Sequence, residues 1–247
     1  RLTNRIVAGY AMPRDLVSLR ATLEEIPKIQ NLFLDEVPAL ARALSLLSPC
    51  EQELGLLHHA IPPEPPATLQ NIGVIREGYA EELDNILDST RHAREWIANL
   101  ESIEKKRTGI KTLKVGYNKV YGYYISLTKA VVDMAPEHYI RKQTLVNAER
   151  YITPELKEYE TLVLNAEERI HDVEARLFRD VCKKLSQSAP RLLQSARALA
   201  ELDAYAALAE SAALGGYTKP RVTGDSQLHI LGGRHPVVEE SLHGERF

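Results

Sequence analysis

The sequence predicts a mainly α protein, with long antiparallel helices that carry a small β-rich domain at their tip. Three observations lead there. The 247 residues are 44% hydrophobic but only 6% aromatic, with Leu and Ala dominant, a mix that suits helices better than a β sandwich. Gly is absent between Gly78 and Gly109 and again between Gly122 and Gly215, and Pro is absent from Ala67 to Ala135 and from Glu155 to Ala189. Both flanking stretches repeat apolar or small residues in heptad-like steps, whereas the short region between them alternates.

The order of elements follows. Residues 14–26, 35–47 and 50–60 read as short helices, and Ile61-Pro62-Pro63-Glu64-Pro65-Pro66 as a stiff loop too short to link domains. Tyr79, Leu83, Ile86, Thr90, Ala93, Ile97 and Leu100 then form one seam. After the interruption, Tyr159, Val163, Ala166, Ile170, Val173, Leu177, Val181 and Leu185 form the other. Thr153 is placed to N-cap the second helix, with Pro154 in its first turn and Glu155 at the positive end of its dipole. Helices over 79–104 and 154–187 would be about 40 and 50 Å long. Packed antiparallel, they put the interruption at their tip.

Inside the interruption, Leu113, Val115 and Tyr117 alternate with Lys114 and Gly116, and Tyr121, Tyr123, Ile125 and Leu127 continue the alternation after Asn118-Lys119-Val120. This predicts a β-hairpin. Tyr139-Ile140, Thr144-Leu145-Val146 and Arg150-Tyr151-Ile152 suggest further short strands. Seven of the eleven Tyr fall in 117–159, either to stack on bases or, the favoured reading, to fill the core of a small sheet. Residues 191–214 read as another helix. From Gly215-Gly216 on, the texture turns to strand and turn, with Leu228-His229-Ile230-Leu231 as a candidate strand.

Charge is uneven. The net charge is −3, yet residues 105–150 hold ten Lys or Arg against Asp133, Glu137 and Glu149, a local +7 in a chain whose remainder sums to −10. A basic island in an acidic chain is the footprint of a polyanion site. Glu149 stands next to Arg150 and is a candidate partner for it. Several classes are excluded. No run of 18 apolar residues can span a membrane. No GxxxxGK[ST] nucleotide cradle, Gly-x-Ser-x-Gly or His-Glu-x-x-His motif occurs. Cys50 and Cys182 are too few for a disulfide framework or a zinc site, which fits a reducing cytoplasm. His58 and His59 are adjacent, so they point different ways on a helix and are poor metal ligands. With no initiator Met, Arg1 and Phe247 read as cut ends of a longer chain.

The segment Leu113-Lys114-Val115-Gly116-Tyr117-Asn118-Lys119-Val120-Tyr121-Gly122-Tyr123-Tyr124-Ile125 resembles the clamp of the MutS DNA mismatch-repair family. So do Tyr139-Ile140-Arg141-Lys142-Gln143-Thr144-Leu145 and the run from Asn147 to Lys157. Ala200-Glu201-Leu202-Asp203 and Gly233-Arg234-His235-Pro236-Val237-Val238-Glu239 match later parts of the same family in the same order, and Asn4-Arg5 through Leu16 its upstream helical core. The resemblance implies a helical core and outgoing lever helix over 1–105, a β-rich DNA clamp over 106–153, returning lever helices over 154–215, and the start of a truncated α/β ATPase domain over 216–247. It implies a non-catalytic segment that holds duplex DNA by its backbone and, in the whole protein, couples ATP state to mismatch recognition. Asn118, Lys142, Gln143, Thr144 and Asn147 are the implied contacts, with Lys119, Arg141 and Arg150 behind them. Val146 stands where the family usually has Lys, and Lys119 where many relatives have a small residue. Phe247 would fall at an incomplete adenine site. His235 takes no catalytic part and reads as a turn that anchors a strand. ATP and Mg, a homodimer and a MutL-type partner belong to the full-length protein, in a nucleoid-associated cytoplasmic setting. The alternatives are a signal-transmitting arm that binds no DNA alone, and a MutS paralogue acting in recombination.

Overall fold

The structure, a computed structural model, describes residues 1–33, 38–120 and 122–241; Tyr121 and Phe247 therefore lie outside the described residues. It is mainly helical with one small antiparallel sheet. The chain sorts into two compact units, Arg1–Lys28 with Pro49–Pro190, and Ile29–Ser48 with the described residues from Arg191 on. No described helix is long and apolar enough to cross a membrane.

In the first unit, α1 (Leu2–Val7) and α4 (Glu51–Ala60) pack against the returning side of a helix pair, and the start of α2 (Pro13–Asn31) belongs to the same unit. The pair consists of α5 (Glu81–Thr108) against α6 (Pro154–Leu164) and α7 (Ala166–Gln187). α5 begins with Glu81, Glu82 and Asp84 in its first turn and ends on Gly109, whose φ of 73° is the left-handed conformation a glycine adopts without penalty. Its buried face is Leu83, Ile86, Thr90, Ala93, Ile97 and Leu100, the expected seam without Tyr79, which precedes the helix, and is extended by Glu104. The pair is antiparallel. Near the start of α5, Glu82 meets Arg176 of α7, and further along Trp96 stacks on Tyr159 of α6 at 4.3 Å.

The return path differs from one uninterrupted helix. It has a discontinuity at Asn165, whose φ and ψ are −91° and −3°. The buried face of α7 also departs from the expected seam. Glu174 and Phe178 are buried and Leu177 only partly so. Glu174 accepts the N–H of Gly73 at 2.8 Å and of Ile75 at 3.0 Å, tying the loop before α5 onto α7. Thr153 does cap α6, its Oγ1 accepting the N–H of Leu156 at 3.0 Å.

The sheet sits between α5 and α6. β1 (Lys114–Asn118), β2 (Gly122–Thr128), β3 (Ile140–Thr144) and β4 (Ala148–Ile152) form two hairpins in the order β1-β2-β4-β3. A 3-10 turn, Lys129–Met134, follows β2. β3 is continuous where two separate pieces were expected, and residues 145–147 make the turn, closed by Leu145 N–H to the Ala148 carbonyl at 2.8 Å. Alternation sends Ile125, Leu127 and Tyr151 inward. They meet Ile97, Leu100, Ile110, Leu113, Tyr139 and Leu156 in one core. The Tyr residues mostly serve that core, as favoured: Tyr139 and Tyr151 are buried, and Tyr123 and Tyr159 pack against its rim.

In the second unit, α3 (Ala41–Leu46) and α8 (Ala189–Gly215) are the main helices; the expected start at 35 lies outside the described residues. Ser195 of α8 accepts the Ser48 N–H at 3.0 Å and donates to the Ser48 carbonyl at 3.2 Å. Leu228–Leu231 is not a strand. Leu228 and Leu231 are 86% and 84% exposed, with no described strand beside them to complete a ladder. His235 does not anchor a strand either. It precedes the short α9 (Pro236–Ser241), where its carbonyl accepts the Glu239 N–H at 3.0 Å.

Candidate nucleic-acid interface

The basic island is partly neutralised by its own surroundings. Lys105 pairs with Glu101 at 2.6 Å, Arg107 with Glu104 at 2.7 Å and Arg141 with Glu149 at 3.5 Å. Lys106, Lys111, Lys114, Lys119, Lys129 and Lys142 are exposed and pair with no carboxylate among the described residues. These cations are the part of the island able to meet an outside polyanion.

The expected contact residues fall at two stations on opposite edges of the sheet. Asn118 ends β1, and its Oδ1 accepts the Val120 N–H at 2.8 Å, which closes the turn and leaves Lys119 at its apex. Lys142, Gln143, Thr144 and Asn147 lie along β3 and the turn after it. Lys142 occupies the irregularity between Arg141 and Gln143, where one extra residue bulges from the edge. Three strand spacings across and five residues along the register, between Gly122 and Leu127, put Asn118 about 20 Å from Thr144.

Three of the expected residues are tied to the sheet. Arg150 Nη1 donates to Gln143 Oε1 at 2.9 Å, and its guanidinium lies 4.2 Å from the Tyr124 ring centre. Its Nε is buried without a hydrogen-bond partner among the described residues. Arg150 does not pair with Glu149, because neighbours on a strand point to opposite faces. Glu149 instead points inward and accepts from Tyr151 Oη at 2.6 Å, with Arg141 at its other oxygen. Gly116 completes the outer face: a Cβ there would stand 2.8 Å from the Tyr124 ring.

Buried carboxylates set the electrostatics beneath. Tyr139 Oη donates to Glu104 at 2.5 Å. Burial and then that carboxylate raise the Tyr139 phenol above its ordinary value. Burial, and after it Glu149, pushes Tyr151 up to about 12. The Glu101 carboxyl is lowered, first by the hydrogen bond from Lys105 and then by the backbone N–H of Val115.

Comparison with known proteins gives the family. The model for MutS family domain IV matches residues 78–169, which hold α5, the sheet and α6. Over 249 residues the chain is 45% identical to the DNA mismatch repair protein MutS of Pelotomaculum thermopropionicum, covering 100% of this chain and 29% of that protein. The chain belongs to the MutS family. The DNA mismatch repair protein MutS of Acetivibrio thermocellus is 44% identical over 252 residues, and that of Methanosarcina mazei 42% over 249, each with 28% of its length covered. The chain thus spans about 29% of the curated MutS relatives it matches.

All eight expected DNA contacts lie inside the stretch matched as MutS domain IV, whereas Phe247 lies beyond it and outside the described residues. Two groups of MutS-family residues at this site escaped the sequence reading. Lys129 stands beside the second station, its N–H donating to the Asn147 carbonyl at 3.2 Å. A cation directly after the last strand residue was the available signal. Glu101, Glu104 and Glu160, which no sequence motif singles out, are structural acceptors.

Proposed function

We propose that this chain grips duplex DNA through its sugar-phosphate backbone, with the sheet serving as a clamp and α5, α6 and α7 as lever helices that carry it. The single observation behind the reading is the set of unpaired exposed cations, Lys119, Lys129 and Lys142, set among Asn118, Thr144 and Asn147 at two stations of one rigid sheet. Lys, Asn, Gln and Thr donors suit phosphate contacts that position a protein without reading sequence. The two stations would touch separate phosphate groups of one duplex.

The remaining roles come from the family and extend the same proposal. The C-terminal stretch opens an α/β ATPase domain. The full-length protein binds ATP and Mg, forms a homodimer, meets a MutL-type partner and works in a nucleoid-associated cytoplasmic setting, where the lever helices link nucleotide state to the clamp. The role proposed for the residues of this chain is binding and coupling, not catalysis. Its sequence holds no Gly-rich phosphate loop.

Fluorescence anisotropy of a labelled duplex at two salt concentrations tests the reading. Neutralising about four to six phosphates gives a log–log salt slope of roughly −4 to −5. A Lys142→Glu/Asn147→Ala variant should lose most of this binding. No binding by the parent chain at low salt, with helicity intact by circular dichroism, would sink the proposal.

A further inference from the structure

The β1–β2 hairpin is held in an unusual way. β4 pairs with β2 only from Ile125 onward, so the N–H of Tyr123 faces a side with no strand beside it. Glu160 of α6 takes that N–H on Oε1 at 2.7 Å, and Lys157 pairs with its Oε2 at 2.6 Å. On the outer edge of the sheet, the N–H of Val115 donates to Glu101 Oε2 of α5 at 3.0 Å, while Lys105 holds the other oxygen at 2.6 Å. Each helix therefore sends one carboxylate to one backbone N–H of the hairpin, and each carboxylate is balanced by a lysine on its own helix.

The surroundings are built for these contacts. The Glu160 side chain is only 3% exposed, and an ionised carboxylate is expensive to bury unless its oxygens are satisfied. Gly122 makes the room: its φ is 77°, and a Cβ there would stand 1.7 Å from Glu160 Oε1. The Trp96–Tyr159 stack sits just before both carboxylates and spaces the helices that carry them. Under the hairpin lies a groove of about 390 Å³, lined by Arg94, Ala98, Tyr117 and Val163 among others. The core holds the Ile125 and Leu127 end of the hairpin, while the groove lies beside the Tyr117 end, where the two backbone tethers bear on the position of the turn.

We propose that Glu101 and Glu160 are positioning residues that fix the Asn118–Lys119 turn relative to the helix pair, so that a change in the spacing of α5 and α6 moves this DNA-contacting turn. The inference rests on the DNA-contact reading above. It does not require either carboxylate to touch DNA. Both act through the backbone, and the nearer cations, Lys105 and Lys157, are already engaged by them.

Amide hydrogen exchange and duplex anisotropy on the same chain test it together. In Glu160→Ala, exchange at Tyr123 and across the turn should quicken about tenfold or more, the size expected when a hydrogen bond to a charged group is lost. Protection in α7 should stay as in the parent. Duplex binding should weaken several-fold with a shallower salt slope. Glu160→Gln keeps an acceptor oxygen and should restore both readouts. Glu101→Ala, whose side chain is 40% exposed in the parent and so tolerates removal, should quicken Val115 most and the turn to a smaller degree than Glu160→Ala. Unchanged exchange in both alanine variants overturns the tethers. Loosened amides with unchanged duplex affinity overturn the positioning role while leaving the DNA reading intact. A parent chain that binds no duplex removes the DNA reading, and exchange then still decides the tethers.

Discussion

The two hairpins of the sheet share one core but are fastened by different chemistry. β1–β2 is held from outside, by helix carboxylates that accept its backbone N–H groups at Val115 and Tyr123. β3–β4 is held from inside, by phenols: Tyr139 donates to Glu104 of α5, and Tyr151 to Glu149 on its own strand. A backbone tether is indifferent to the side chain of the residue it grips. A phenol–carboxylate contact exists only while that tyrosine does. Val115 and Tyr123 can therefore keep their tethers through changes of side chain, whereas Tyr139 and Tyr151 cannot.

Substitutions and a titration would break or sharpen this contrast. The largest effect should come from the core both hairpins use. Leu127→Ala empties a fully buried site and should cost about 2–5 kcal/mol in urea unfolding, loosening both hairpins alike. Next, Tyr139→Phe leaves the 3%-exposed Glu104 with one donor fewer and should cost about 1–3 kcal/mol. Tyr117→Phe on the half-exposed first hairpin should stay within about 0.5 kcal/mol. A smaller effect from Tyr139→Phe than from Tyr117→Phe would erase the distinction. The same phenols predict an alkaline limit. Their folded values are raised, so the stability they lend is complete below the ordinary tyrosine value near about 10 and is lost as pH rises through the folded values. Tyrosinate absorbance should show Tyr139 and Tyr151 ionising last, together with loss of the sheet, and early ionisation without unfolding would contradict this.

The smallest expected effect separates the hairpins by function. Lys119→Glu and Lys142→Glu should each weaken duplex binding and reduce the magnitude of the salt slope by about one. At about 20 Å apart, their free-energy effects should add. A strong departure from additivity would mean that the two stations do not contact DNA independently.

Much of this architecture was legible because it follows from repetition. The α5 seam is read directly from spacing, and the hairpins from alternation and glycine, since burial on one face imposes those periods locally. What was hidden depends on distant partners. Glu160 reads as a solvated charge until Tyr123, 37 positions away, presents an N–H to it. Glu174 is the same case at 99 positions, for Ile75. The Arg150–Glu149 pairing suggested by adjacency failed because a strand separates neighbours, while Gln143, seven positions away on β3, faces Arg150 across the ladder. Leu228–Leu231 carries strand composition without strand neighbours, and composition alone does not build a ladder.

The close approach of Gly122 to Glu160 has a consequence for sequence variation. The two positions share one small volume, which a β-carbon and a carboxylate cannot both occupy. Among relatives, a residue other than glycine at 122 should therefore occur where 160 is shortened or its carboxylate is turned away. Where 160 is shortened, the N–H at 123 must find its acceptor elsewhere. A survey of paired substitutions would read this contact as a covariation rather than as two independent preferences.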